Sequence, residues 1–249
     1  MLAGLLGIGG GLVIVPMLAY VLPGQGVETT HLMHLALGTS LASIIFTSIS
    51  SLRAHHKRGA VRWDVVLKIT LGIMFGTLAG AYVASFLPTR VLKGIFMIFL
   101  YYVSSQMISN RKPKPSTELP GPLGTNAVGA VIGVFSSLVG IGGGTLSVPF
   151  LTWCNVSIHH AIGTAAAIGL PIAVFGAIGF IWRGMGVAEL PLYSLGYVYL
   201  PALVGIVCTS VLTAPLGAKL AHSLPVAKLK KVFAVLLFCV GTRMLFDII

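Results

Sequence analysis

Acidic residues are what this sequence has least of. Five Asp and Glu (Glu28, Asp64, Glu118, Glu189 and Asp247) stand in 249 residues, and charged residues of all kinds make up 8%, against roughly 25% in a soluble domain. An ordinary soluble fold is excluded. The formal charge of +11 reflects missing acids as much as the sixteen Lys and Arg, so it does not mark a nucleic-acid surface, and no nucleic-acid partner is expected. Cysteine is scarce too: Cys154, Cys208 and Cys239 form no C-x-x-C pair, and neither a disulfide framework nor a metal site is expected. H-E-x-x-H, G-x-S-x-G and G-x-x-x-x-G-K-[ST] are all missing, so no catalytic residue and no cofactor is assigned. Ser136-Ser137 evokes a serine hydrolase by composition only, and Ala3-Gly4 stands at the equivalent place in the first repeat. No carboxylate lies deep in an apolar run, which removes the usual carboxylate relay for protons or sodium.

What is abundant is apolar sequence, 56% of residues, at a mean hydropathy of +0.99. Long apolar runs fall at 1–22, 31–52, 64–87, 91–109, 123–152, 158–182, 193–220 and 228–248, most near the ~20 residues a helix needs to cross a bilayer. The expected fold is all-α, a multi-pass protein of the plasma (inner) membrane whose environment is the lipid bilayer. Met1-Leu2-Ala3-Gly4 lacks the basic start of a signal peptide, so the chain is expected to enter the membrane at once. Between the fourth and fifth runs lies NRKPKPSTELPGP, residues 110–122, charged and rich in proline. It reads as a linker between a repeat at 1–109 and a second at 123–249.

The halves resemble each other. GIGGGLVIVP at Gly7–Pro16 returns as GIGGGTLSVP at Gly140–Pro149; His34-Leu35-Ala36-Leu37-Gly38-Thr39 aligns with His159-His160-Ala161-Ile162-Gly163-Thr164; Leu87-Pro88 and Leu92-Lys93 align with Leu224-Pro225 and Leu229-Lys230. The three offsets are 133, 125 and 137 residues, in the same order in both halves. Membrane transporters are commonly built from such repeats, with the substrate between them.

Charge indicates which kind of repeat this is, because cytoplasmic loops collect Lys and Arg. The loop after the second segment carries Arg53, Lys57, Arg58 and Arg62, and its counterpart only Arg183; after the third segment the imbalance reverses, Arg90 and Lys93 against Lys219, Lys228, Lys230 and Lys231. Corresponding loops thus face opposite sides, as in an inverted repeat. Inversion needs an odd number of crossings per half, which follows if each glycine-motif segment is re-entrant, with arms of about 10 to 14 apolar residues. That arrangement divides the sixteen bases twelve to four, with both termini extracytoplasmic, whereas eight straight spans divide them ten to six.

The chemistry is then expected at the two glycine motifs. Consecutive glycines let the chain leave helical geometry and present bare N–H groups, and a helix start carries about half a positive charge. The candidate site comprises Gly9, Gly10 and Gly11 with Gly142, Gly143 and Gly144, the hydroxyls of Thr39, Ser40, Thr145 and Thr164, and the equivalent His34 and His159. It would take a small anionic solute. Gly72-x3-Gly76-x3-Gly80 reads as a packing stripe instead, and His55-His56-Lys57-Arg58 as a plain basic loop. Pro171, Pro201 and Pro215 are expected to kink their helices.

The duplicated G-I-G-G-G-x4-P, each followed by A-[LI]-G-T, resembles the sulfite exporter TauE/SafE family over essentially the whole chain. The resemblance implies movement, in the sense of export, of sulfite, sulfonates or related sulfur-containing or organic anions. By it, the family's glycine motif falls on Gly7–Gly11 and Gly140–Gly144, its proline on Pro16 and Pro149, and its Thr-containing helix start on Thr39-Ser40 and Thr164. Two departures stand out: six residues precede Gly7 where family members carry about a dozen more apolar ones, and Ser40 becomes Ala165. Alternatives of another kind are a non-transporting membrane scaffold or receptor subunit, and an anion channel; oligomeric state is not legible.

Overall fold

The computed structural model describes residues 10–109, 117–210 and 226–247. Gly9, the linker residues 110–116 and the stretch 211–225, with Pro215, Lys219, Leu224 and Pro225, lie outside the described residues. In chain order the helices are α1 (Gly11–Val21), α2 (Leu32–Lys57), α3 (Trp63–Ala84), α4 (Thr89–Ser109), α5 (Pro122–Val139), α6 (Gly144–Trp153), α7 (Ile158–Gly184), α8 (Leu200–Ser210) and α9 (Val226–Phe246). A two-residue-strand hairpin, β1 (Ser194–Leu195) with β2 (Val198–Tyr199), precedes α8. Five of the described helices are long and apolar enough to cross a membrane.

Two differences from the sequence reading have local causes. The seventh apolar run begins as the β-hairpin, because Gly196 adopts φ +54° in a tight turn that pairs Leu195 with Val198. Helix starts only at Leu200. The second glycine segment also has arms of 18 and 10 residues, so its leading arm is long enough to cross and only the trailing one falls in the expected range.

Helix α3 packs with its small residues inward and its large ones outward. Leu67, Leu71 and Phe75 are exposed while Ile69, Ile73 and the glycines are buried, the pattern of a helix that faces lipid on one side. Gly72, Gly76 and Gly80 lie against Asn126, Ala130 and Val134 of α5, and Gly129 and Gly133 of α5 lie against Ile69 and Ile73 in return. The stripe is the close-packed seam expected of small-x3-small spacing. Asn126 Oδ1 accepts the Gly72 N–H at 2.8 Å, a polar tie across it.

The halves touch through equivalent elements. Helices α4 and α9, both 21 residues and 137 apart at each end, pack together through Tyr101–Thr242 hydroxyls at 3.0 Å and the Ser104 hydroxyl donating to Ala234 O at 2.9 Å. Helices α2 and α7 cross in the core, where Leu41 meets Gly176. Helices α1 and α6 both start on a motif glycine and carry a proline five residues on, Pro16 and Pro149.

The seam predicts a contrast within glycine. Gly76→Ala drives a methyl into the Ala130 backbone and should destabilise by on the order of 1–3 kcal/mol. Gly94→Ala, mid-helix with nothing near its Cβ position, should be neutral or stabilising by up to about 1 kcal/mol. Unfolding of the two variants in detergent checks the difference.

Candidate functional site

Helix α5 ends where Gly140 turns left-handed, φ +65°. The Gly140 N–H donates to Ser137 O at 3.3 Å and the Ile141 N–H to Ser136 O at 3.1 Å, the paired bonds of a Schellman ending that glycine permits at no steric cost. The chain then runs through Ile141, Gly142 and Gly143, all buried, before α6 begins at Gly144. Neither Gly142 nor Gly143 donates its N–H to a main-chain carbonyl among the described residues. Buried N–H groups are rarely left so, and here they sit beside a helix start.

Against this break lies the first motif. A Cβ on Gly11 would collide with the Gly140 carbonyl oxygen, with Ile141 Cα 3.0 Å away, so the two motifs meet main chain to main chain. Ser40 of α2 donates to Gly140 O at 2.8 Å and Ser43 to Ser40 O at 2.7 Å. Ser137 donates to Thr77 O at 2.8 Å. Ser136 and Ser147, fully buried on the arms either side of the break, have hydroxyls with no partner among the described residues. Ser43 and Ser147 escaped the sequence reading; lone serines in apolar runs carry no repeat signal, and Ser147 is Ile14 in the first half.

Thr39 and Thr164 each bond a loop of the opposite half. The Thr39 hydroxyl accepts the Tyr199 N–H at 2.9 Å, and the Thr164 hydroxyl accepts the Arg62 N–H at 3.0 Å. Thr39 and Thr164 are 125 apart, Arg62 and Tyr199 137 apart, so each half's threonine holds the equivalent loop of the other. Neighbouring glycines repeat the relation: a Cβ on Gly38 would strike Tyr197 O, and one on Gly163 would strike Ala60 O. Gly59 and Gly196, again 137 apart, are both left-handed, at φ +65° and +54°. The match of Gly59-Ala60-Val61 to Gly196-Tyr197-Val198 was legible in the sequence, though only two of its three residues are identical.

The histidines diverge. His34 is buried, its Nε2 3.0 Å from Ala84 O and its ring stacked on Tyr197 at 4.9 Å, while His159 is exposed. Burial pushes the Tyr197 phenol up, and Arg183 opposes this. Thr145 and Gly144 are partly buried at the start of α6. Two open depressions, of about 380 and 360 Å³, lie away from the glycine junction, along the Gly184–Gly196 loop and beside Gly26–Glu28. Burial also raises the Cys154 thiol, the behaviour of a packed, unreactive cysteine. Among the described residues no cluster of His, Cys, Asp and Glu could hold a metal ion.

A family model described as Sulfite exporter TauE/SafE matches residues 1–244. The chain belongs to that family. It is 43% identical to a probable membrane transporter protein of Haemophilus influenzae over 98% of this chain and 92% of the relative. A probable membrane transporter protein of Methanocaldococcus jannaschii is 27% identical over 98% and 90% of the two chains, and one of Bacillus subtilis 29% identical over 86% and 85%. No solved structure matches. The protein is thus a TauE/SafE-family membrane transporter, with the lipid bilayer around its apolar helices.

The crossed threonine bonds predict matched costs in this TauE/SafE protein. Thr39→Val and Thr164→Val keep side-chain shape but strand the Tyr199 or Arg62 N–H, at about 1–3 kcal/mol each. Equilibrium unfolding should show losses of similar size, and the corresponding Ser variants should retain most of the stability.

Proposed function

We propose that the protein exports a small sulfur-containing or organic anion, such as sulfite or a sulfonate, across the plasma (inner) membrane. The supporting observation is the pair of buried N–H groups at Gly142 and Gly143 that no main-chain carbonyl among the described residues accepts, beside the start of α6 and against the first motif at Gly11. A buried donor pair of this kind suits an oxyanion, and no Lys or Arg is needed next to it. Gly9, Gly10 and Gly11 supply the matching contribution from the first half. Ser40 positions the break through Gly140 O, Thr145 completes the helix start, and His34 and His159 line the approach rather than the centre.

In this reading residues 1–109 and 123–249 are inverted repeats joined by the 110–122 linker. The reciprocal pairs Thr39–Tyr199 and Thr164–Arg62 support a two-fold relation between the halves, and the swapped Lys and Arg of corresponding loops support inversion. The pairs then sit at opposite ends of the transport path, the Arg62 loop on the cytoplasmic side. Rocking one repeat against the other would break one pair while the other held. An inside-negative potential drives an anion outward with about 2.3 kcal/mol per charge per 100 mV. Export so powered requires no coupling ion.

Flux in proteoliposomes under an imposed potential tests the reading, with sulfite, sulfate, thiosulfate, a sulfonate and a carboxylate as candidates. Saturable flux of one or two sulfur oxyanions is expected, with counterflow separating a transporter from a channel. Gly142 has room for a Cβ, 3.4 Å from Ile44, so Gly142→Ala should fold and transport more slowly, and Gly142→Leu should insert without transporting. Unchanged flux through folded Gly142→Leu would refute the glycine site.

A further inference from the structure

The two threonine-held loops are alike in backbone and unlike in chemistry. At Thr164 the loop residue is Ala60, and the nearest ring is that of the exposed His160, whose Nδ1 lies 3.3 Å from Ala60 O. At Thr39 the corresponding residue is Tyr197, and three rings pack together. His34 stacks on Tyr197 at 4.9 Å and 30°, while His31 lies 5.7 Å from His34 and 5.6 Å from Tyr197. The ring cluster therefore touches the same hairpin whose Tyr199 N–H is held by Thr39.

Hydrogen bonding fixes the tautomer of His34. Ala84 O can only accept, so the Nε2 facing it at 3.0 Å carries the hydrogen, and Nδ1 is a bare lone pair in the neutral ring. That Nδ1 is buried with no partner among the described residues, in a residue 3% exposed. His31 Nδ1 is likewise buried and unpartnered, while its Nε2 lies 4.0 Å from the Glu189 carboxylate. A lone pair in that setting accepts a proton or a hydrogen-bond donor, and no metal-binding cluster stands beside it among the described residues.

We propose that His34, with His31 and Glu189, is a proton-binding site that releases the Thr39–Tyr199 hold when it is filled. The proton is then a second ligand of the transporter, bound at one end of the path only. The release rests on the reading above in one respect, that this hold is a gate.

The direction follows from what surrounds the ring. Helix α3 offers the Ala84 carbonyl, already used, and Ser85, whose hydroxyl accepts from Arg183 Nε at 2.8 Å. Helix α7 contributes Arg183 itself, held over the Tyr82 and Phe86 rings, a cation on the Tyr197 side. The hairpin contributes Tyr197, and α2 contributes His31. Helix α4, tied to the same end by Thr89 donating to Thr30 O, brings the exposed Arg90. The loop before the hairpin brings Glu189, and Glu28 lines the depression beside it. Protonated His34 would thus hold a buried Nδ1–H with no hydrogen-bonded acceptor among the described residues, the Leu87 carbonyl near the ring and the Glu189 carboxylate beyond His31. The Tyr197 face returns part of this through cation–π attraction, but an unmet buried charge favours any state in which the ring reaches water or Glu189. Reaching either requires the Tyr197 hairpin to move.

Thiol labelling of Val198→Cys, in a Cys154→Ala, Cys208→Ala, Cys239→Ala background, reads this motion. Val198 is buried on β2 against Ala42 and Ala177, and Leu192→Cys, at an 84% exposed position, normalises the reagent's own pH dependence. As pH is stepped from about 8 to about 4.5, through the range where imidazoles titrate, the normalised rate should rise several-fold. His34→Gln, whose amide can still donate to Ala84 O, should abolish the rise, and His159→Gln should keep it. A flat parent profile, or an unchanged profile in His34→Gln, would overturn the proposal. Should His34→Gln fail to fold, Glu189→Gln serves: loss of the carboxylate should move the midpoint to lower pH, and an unmoved midpoint would overturn the proposal. Labelling needs no solute. Titration through His34 in a protein that moves no anion would refute the transport reading alone, and a flat profile in a working transporter would refute the proton site alone.

Discussion

Main chain resting on main chain is the constraint from which the rest of this structure follows. At Gly11 against Gly140, Gly38 against Tyr197 and Gly163 against Ala60, no Cβ fits between the two backbones, and each contact joins one half of the chain to the other. Such closeness leaves no space for side chains to satisfy the buried backbone, so the nearby hydroxyls of Thr39, Ser40 and Thr164 each bond a main-chain group of the opposite half. Because apolar attraction between helices is weak in lipid, close packing and these bonds hold the halves together. At Gly142 and Gly143 the N–H groups meet no main-chain carbonyl among the described residues.

The mostly helical membrane fold was legible because lipid permits few solutions for a run of twenty apolar residues. The repeat was legible from its glycines and prolines, whose identity is tied to backbone geometry at Gly140 and to the helix starts at Gly11 and Gly144. Partners across the halves were not. The Thr39 and Thr164 hydroxyls are conspicuous in their apolar runs, but the loop N–H each accepts depends on which loop comes back beside it, and that is decided by tertiary packing. His34 and His159 aligned perfectly in sequence and parted in structure, since Tyr197 covers one and the other is exposed. The hairpin at Ser194–Tyr199 was hidden in an apolar run, as short apolar stretches do not distinguish strand from helix.

The second half departs from the first in ways that matter for transport. Ala165 cannot repeat the bond that Ser40 makes to Gly140 O, and Ala60 cannot repeat the ring contacts of Tyr197. In the proposed reading, the shared backbone contacts would let the halves move as alternatives, and the unequal side chains would bias which end opens. Family membership establishes a membrane transporter; the anion, its site and the proton's part in opening one end are proposed.

The central claim is that a sulfur oxyanion is bound by the backbone donors of the glycine junction, and ligand-dependent thermal stability of the purified protein tests it most directly. Binding to the folded state alone raises stability by RT ln(1 + [L]/Kd). The account predicts a midpoint that climbs with sulfite or sulfonate concentration in the parent and stays level in folded Gly142→Leu, at constant ionic strength. An equal climb in both proteins, or none in the parent, would contradict it.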